Sequence, residues 1–262
     1  KQPAQVILSG LLIMADWIAS NEHYFPLLSI NEKEVVDKSR RLQDGFERWK
    51  KTSLWQPKYI SKPDSLYKER FGFEPNNVQS ILSHVTAQIS KPGIVVLEAP
   101  MGLGKTEGSL ITAEQLATKT GRSGLFFGLP TQATSNGIFN RIEKWVESLK
   151  DDSEDILSIQ LVHGKAALNE DFLKLKANTF NFDDVENGSV IINEWFSGRK
   201  TSALDDFVVG TVDQFLMLAL KQKHLALRHL GFSKKVVIID EVHAYDAYMS
   251  QYLMGAIKWM GA

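Results

Sequence analysis

The sequence has no cysteine, which excludes disulfides and thiolate metal sites and fits a reducing compartment. It also has almost no net charge: 30 Lys and Arg face 31 Asp and Glu, a formal charge of −1. A domain that binds nucleic acid by bulk electrostatics is basic, so such a partner would have to be held by local contacts here. Long apolar runs are missing too. The longest, Val6–Ala19, is interrupted by Ser9 and Asp16 and falls short of the ~20 residues that span a bilayer. It also lacks the basic start of a signal peptide. The expectation is a soluble, cytoplasmic chain with no membrane partner. No internal repeat and no low-complexity segment is found. What remains is 262 residues, 44% of them hydrophobic, enough for one large domain or one and a fragment.

Val6–Ser20 carries small and apolar residues nearly all round and predicts a buried helix. Residues 21–70 mix charge and aromatics without a clean period. They read as a connector, with a helix around Glu32–Lys51 and then irregular chain broken by Pro57 and Pro63. From Asn76 onward the pattern changes. Apolar, β-branched runs at Gly93–Leu97, Gly124–Leu129, Ile156–Val162, Phe207–Val209 and Val236–Ile239 alternate with helical stretches at Thr106–Thr118, Ser135–Leu149, Val212–Lys221 and Tyr245–Met260. Such runs are expected of strands buried on both faces of a parallel sheet. Strands that alternate with helices imply an α/β layered domain with right-handed crossovers. Residues 165–205 are polar and poorly periodic, as in an elaborated loop region.

Two stretches carry chemistry. The first, Ala99–Pro100–Met101–Gly102–Leu103–Gly104–Lys105–Thr106, follows an apolar run and opens a helical one. Gly102 and Gly104 allow successive backbone N–H groups, with that of Leu103 between them, to curl around a polyphosphate, and the following helix points its positive end at the same anion. Lys105 supplies a mobile charge for the β- and γ-phosphates, and the Thr106 hydroxyl is placed to ligate Mg2+. Ala99 stands where the usual pattern has its first glycine, which suits the A-x-x-G-x-G-K-T form of helicase loops.

The second stretch is Val236–Val237–Ile238–Ile239–Asp240–Glu241–Val242–His243. The carboxyl ends of strands in an open α/β sheet face the ligand crevice. Asp240 is then placed to hold Mg2+, and Glu241 to orient and deprotonate an attacking water. The plain alternative is a solvated pair of carboxylates that closes a strand, and the phosphate loop upstream weighs against it. His243 would relay the state of the nucleotide to neighbouring motifs, or is structural.

D-E-x-H after such a loop resembles the superfamily 2 helicases. Leu129–Pro130–Thr131–Gln132–Ala133–Thr134–Ser135–Asn136 with Arg141, Leu161–Val162–His163–Gly164 and Val209–Gly210–Thr211–Val212–Asp213–Gln214 look like that superfamily's nucleic-acid-facing motifs. Together with Glu194–Phe196, this set is similar to the CRISPR-associated helicase–nuclease of type I systems, and Leu11–Ser20 resembles the closing helix of its HD nuclease domain. The resemblance implies a RecA-like lobe over 71–262, a connector over 26–70 and the end of an HD domain over 1–25.

It further implies that ATP and Mg2+ are used, and that Gln79 reads the adenine edge. Thr131, Gln132, Thr211 and Asp213 would lie beside single-stranded DNA; for the threonines helix capping is the alternative. Asp16 would be one ligand of a divalent transition metal whose other ligands precede Lys1. A guide-RNA surveillance complex (Cascade-like) and an inhibitor protein would be docking partners. The implied activity is ATP-dependent DNA translocation coupled to nucleolytic cleavage. With no serine–alanine–threonine motif and no second lobe in this sequence, the fragment alone is expected to be nearly inactive. An RNA-directed D-E-x-H helicase and a non-catalytic docking module are the rival readings.

Overall fold

The computed structural model describes residues 2–28, 37–50, 52–60, 62–151, 155–163, 166, 169–180, 190–198 and 200–262. Part of the expected Glu32–Lys51 helix, and Gly164, lie outside them. Its core is a five-stranded parallel sheet in the order β3-β2-β4-β1-β5. The strands are β1 (Leu125–Leu129), β2 (Leu157–Val162), β3 (Val190–Ile191), β4 (Phe207–Thr211) and β5 (Val236–Ile239). β1 sits centrally, with Leu125 opposite Phe207 of β4 on one side and Val236 of β5 on the other.

Helices cover both faces, so the apolar runs have no solvated side and do not alternate with polar residues. Leu125, Phe127 and Leu129 point to one face, against α5 (Lys105–Thr120) and α6 (Gln132–Ser148). Phe126 points to the other, against α8 (Asp213–Leu216), α9 (Leu225–Ser233) and α10 (Ala247–Met260). Full burial of each such side chain stabilises by roughly 1.5–3 kcal/mol. Trp55 joins the first layer from the connector, with its ring against Trp145 and Phe207. The remaining helices are α1 (Gln2–Ala19), α2 (Lys38–Trp49), α3 (Ser65–Phe71), α4 (Asn77–Ala87) and α7 (Glu170–Phe180).

The structure corrects several expectations: α3 lies in chain expected to be irregular, α7 in the expected loop region at 165–205, and two further corrections concern a strand and a helix. Gly93–Leu97 forms no regular structure and pairs with no strand among the described residues, and Ile94 and Val96 are 71% and 83% exposed. A β-branched run becomes a strand only where it pairs with a neighbour, and Gly93–Leu97 does not. The helix expected at Val6–Ser20 begins at Gln2, runs for 18 residues, and is mostly exposed rather than buried. Its inner side docks on α9 through Gly10, where a Cβ would lie 2.6 Å from the Ala226 carbonyl oxygen. Leu8, Leu11 and Leu12 lie on its exposed side. By length and composition alone this helix would pass for a membrane span.

Candidate nucleotide site

The phosphate loop is shaped by its glycines. Gly102 and Gly104 take φ of 82° and 68°, a left-handed backbone that side-chain-bearing residues adopt at a cost of about 1–2 kcal/mol. Gly104 is the N-cap of α5, so Lys105 and Thr106 stand in its first turn. The Lys105 ammonium donates to the Ala99 carbonyl at 3.1 Å, which folds the lysine back over the loop.

Gln79 is buried and directed at this loop. Its Nε2 donates to the Gly104 carbonyl at 3.1 Å, while its Oε1 accepts from the Asn76 N–H at 3.0 Å. Asn76 completes the capping box of α4 by accepting from the Gln79 N–H, and its own Nδ2 donates to the Leu103 carbonyl at 3.1 Å. Asn76 is thus a loop-holding residue that motif reasoning missed, although the N-x-x-Q spacing of a capping box was a readable signal. A side chain at position 104 would meet Gln79 Nε2 at 2.3 Å and displace it from the Gly104 carbonyl, while the positive φ is what requires glycine there.

At the end of β5 the Asp240 N–H donates to the Gly128 carbonyl at 2.9 Å, one residue past the strand. Burial raises the Asp240 carboxyl above the ordinary range. The Glu241 charge adds to this, while the Glu241 N–H, the Lys105 charge and His243 oppose it. Glu241 has φ of 53°, a conformation that costs a non-glycine residue roughly 1–3 kcal/mol and persists only where its surroundings fix it. Its carboxylate lies 3.2 Å from His243 Nδ1, and His243 is 80% exposed. The Tyr245 hydroxyl donates to the Asp240 carbonyl at 3.0 Å, a contact the sequence did not announce.

The candidate nucleic-acid residues line the same carboxyl edge. Thr131 is exposed and N-caps α6; its hydroxyl accepts from the Thr134 N–H at 3.2 Å, so the capping role is real. Gln132 is the exposed first residue of α6. Thr211 ends β4 opposite Leu129 and is buried, and Asp213 is exposed at the start of α8. Asn136 and His163 from two of the motifs meet at 2.8 Å. Arg141 pairs with Glu107, which joins α6 to the helix after the loop. Asp16 stands apart, exposed on α1, and no cluster of three or more metal-ligating groups occurs among the described residues.

A parallel sheet between two helical layers, with a glycine loop and an acidic strand end at its carboxyl edge, defines a P-loop NTPase lobe of the helicase type. A family model described as the HD domain of Cas3 matches residues 1–25. The chain is 71% identical to the CRISPR-associated nuclease/helicase Cas3 of Streptococcus thermophilus over 263 residues, which is 100% of this chain and 28% of that protein. It superimposes on the crystal structure of T. fusca Cas3-AMPPNP with a TM-score of 0.79 and 31% identity, covering 99% of this chain and 28% of that one. A chain of a CRISPR RNA-guided surveillance complex, pre-nicking, is 28% identical with a TM-score of 0.61, over 99% of this chain and 24% of that one. The chain belongs to the Cas3 family of CRISPR nuclease/helicases, and matches a segment from the end of the HD domain into the helicase region. It spans 28% of the length of the Streptococcus thermophilus relative.

Proposed function

We propose that this chain supplies the ATP-binding lobe of a cytoplasmic, ATP-dependent single-stranded-DNA translocase coupled to an HD nuclease in CRISPR interference. One observation carries the reading: α5, which opens on the glycine loop and Lys105, packs on β5, the strand that ends at the Asp240–Glu241 pair. The T. fusca relative, whose name pairs Cas3 with AMPPNP, supports it.

The residues fit their tasks. Left-handed Gly102 and Gly104 expose backbone N–H groups at a helix start, which suits a polyphosphate. Thr106 and Asp240 offer the hard oxygen donors that Mg2+ takes. When bound, Mg2+ neutralises charge that develops on the transferred phosphoryl group. Lys105 binds the β- and γ-phosphates. Glu241 orients the attacking water and accepts its proton on the carboxylate. Thr131, Gln132, Thr211 and Asp213 lie beside the single-strand track, where hydroxyls and backbone N–H groups meet phosphates without reading sequence. Asp16 contributes one ligand to a transition-metal site of the HD domain. Similarity to a chain of a surveillance complex supports a Cascade-like partner.

The test is Lys105→Ala in the full-length enzyme. Loss of a preorganised charge at the phosphoryl group typically lowers the rate by about 10²–10³, so DNA-stimulated phosphate release should all but vanish while circular dichroism is unchanged. Near wild-type turnover would overturn the assignment of the loop.

A further inference from the structure

β5 ends at Ile239, and Asp240 is the last residue the sheet fixes, through its N–H to the Gly128 carbonyl. One residue on, Glu241 has left the sheet and holds a left-handed backbone. A non-glycine residue stays there only when its neighbours over-determine it. The neighbours that do so are visible. The Glu241 carbonyl accepts from the Ala244 N–H at 2.9 Å, and the Val242 carbonyl from the Tyr245 N–H at 3.1 Å. The peptide between the two carboxylates is gripped at both ends. The Glu241 N–H donates to Asp240 Oδ1 at 3.0 Å, and the Tyr245 hydroxyl reaches back to the Asp240 carbonyl at 3.0 Å.

From this geometry we infer that Tyr245 is a positioning residue for hydrolysis: its hydroxyl holds the Asp240–Glu241 peptide in the orientation that aims the Glu241 carboxylate at the water. The inference rests on the role given to Glu241 above. Tyr245 is anchored for the task. It is half-buried and precedes Asp246, which caps α10 by accepting from the Met249 N–H at 2.7 Å. α10 packs against α8, the helix that opens at Asp213. A phenol keeps its proton at neutral pH, so the hydroxyl is a donor. Its proton is committed to a backbone carbonyl. It therefore acts through the peptide and not on the reacting atoms.

Tyr245→Phe in the full-length enzyme removes that donor and keeps the ring. A misaimed base slows chemistry without loosening the ligand, so kcat for DNA-stimulated ATP hydrolysis should fall roughly five- to fiftyfold, with KM for ATP and Kd for Mg-ADP within about twofold of wild type. A purely structural tyrosine would lower Tm and leave kcat, read well below Tm, unaltered; that result overturns the inference. So does a rise in KM and Kd that accounts for the whole loss. Lys105→Ala is assayed beside it. If Lys105→Ala is inactive while Tyr245→Phe is as fast as wild type, the role of Tyr245 alone is wrong. If Lys105→Ala turns over normally, the nucleotide site itself is misread.

Discussion

The Arg70 guanidinium clasps the Glu114 carboxylate with two nitrogens, Nε to Oε2 at 3.0 Å and Nη2 to Oε1 at 2.6 Å. Its Nη1 donates to the Ser148 carbonyl at 2.5 Å, so one side chain joins α3 to α5 and to the end of α6. Glu114 is only 3% exposed. Removal of one partner leaves a charge with neither water nor counter-ion, which typically costs about 3–5 kcal/mol. Arg70→Ala should therefore shift the urea midpoint of the chain strongly, and the Arg70→Met/Glu114→Leu pair much less. Equal losses from the single and the double substitution would mean that packing, not charge, makes the contact matter.

Glu241→Gln and Asp240→Ala should fail differently. The first keeps the shape of the side chain and removes the base, so Mg-nucleotide affinity stays near normal while hydrolysis stalls. The second removes an oxygen donor for Mg2+ and should weaken Mg-nucleotide binding itself. Binding titrations on the two full-length variants check this. An equal loss of affinity in both would reverse the roles given to the two carboxylates.

Much of this site was legible because its chemistry constrains the backbone. Gly102 and Gly104 mark where φ must be positive, and Lys105 where a helix must start. Val236–Ile239 forms a strand with the bounds its apolar run implied. Gly93–Leu97 has the same character but no ladder, since composition reports a strand's appetite for burial and not the edge that would satisfy it. α7 and the two-residue β3 lay hidden in a region that is polar overall, where Val190–Ile191 is too short a run to stand out until it pairs with β2. α9, with Gly231 in its last turn, offers little helical pattern. There a Cβ would meet the Ala203 carbonyl oxygen at 2.1 Å, a reason for glycine that only the folded chain supplies. Thr131 shows a further limit: the T-x-x-T spacing that suits a phosphate-facing hydroxyl is also the spacing of a cap.

Asp16 tests the nuclease end. It is exposed on α1, far in sequence from the nucleotide loop and outside any metal-ligating cluster among the described residues. One carboxylate holds a transition metal only with further ligands. In the full-length enzyme, Asp16→Ala should lower metal-dependent DNA cleavage and leave DNA-stimulated ATP hydrolysis unchanged. Unimpaired nicking by that variant would return Asp16 to a structural role.

His229 gives the stability a pH dependence of known sign. It lies buried on α9, with its ring 4.4 Å from that of Trp259 and no hydrogen-bond partner for Nε2 among the described residues. Burial, with the Arg228 charge, lowers its pKa below the ordinary value of 6.5, while a hydrogen bond with the Leu218 backbone pulls the other way. A histidine kept neutral in the fold binds fewer protons than the same histidine unfolded. Its contribution to stability is therefore fully present above about pH 6.5 and is lost as the pH falls toward the folded pKa. His163, whose pKa burial also lowers, acts in the same sense. Asp205, whose carboxyl burial raises to about 6, acts in the opposite sense between 3.8 and that value. Both are common to the wild type and to His229→Phe, a change that keeps an aromatic ring against Trp259. Comparison of the two proteins isolates His229. Urea midpoints measured from about pH 8 down to about pH 5 should fall more steeply for the wild type than for His229→Phe. Parallel curves would mean that His229 takes up its proton equally in the folded and the unfolded chain, and that its burial carries no pH dependence.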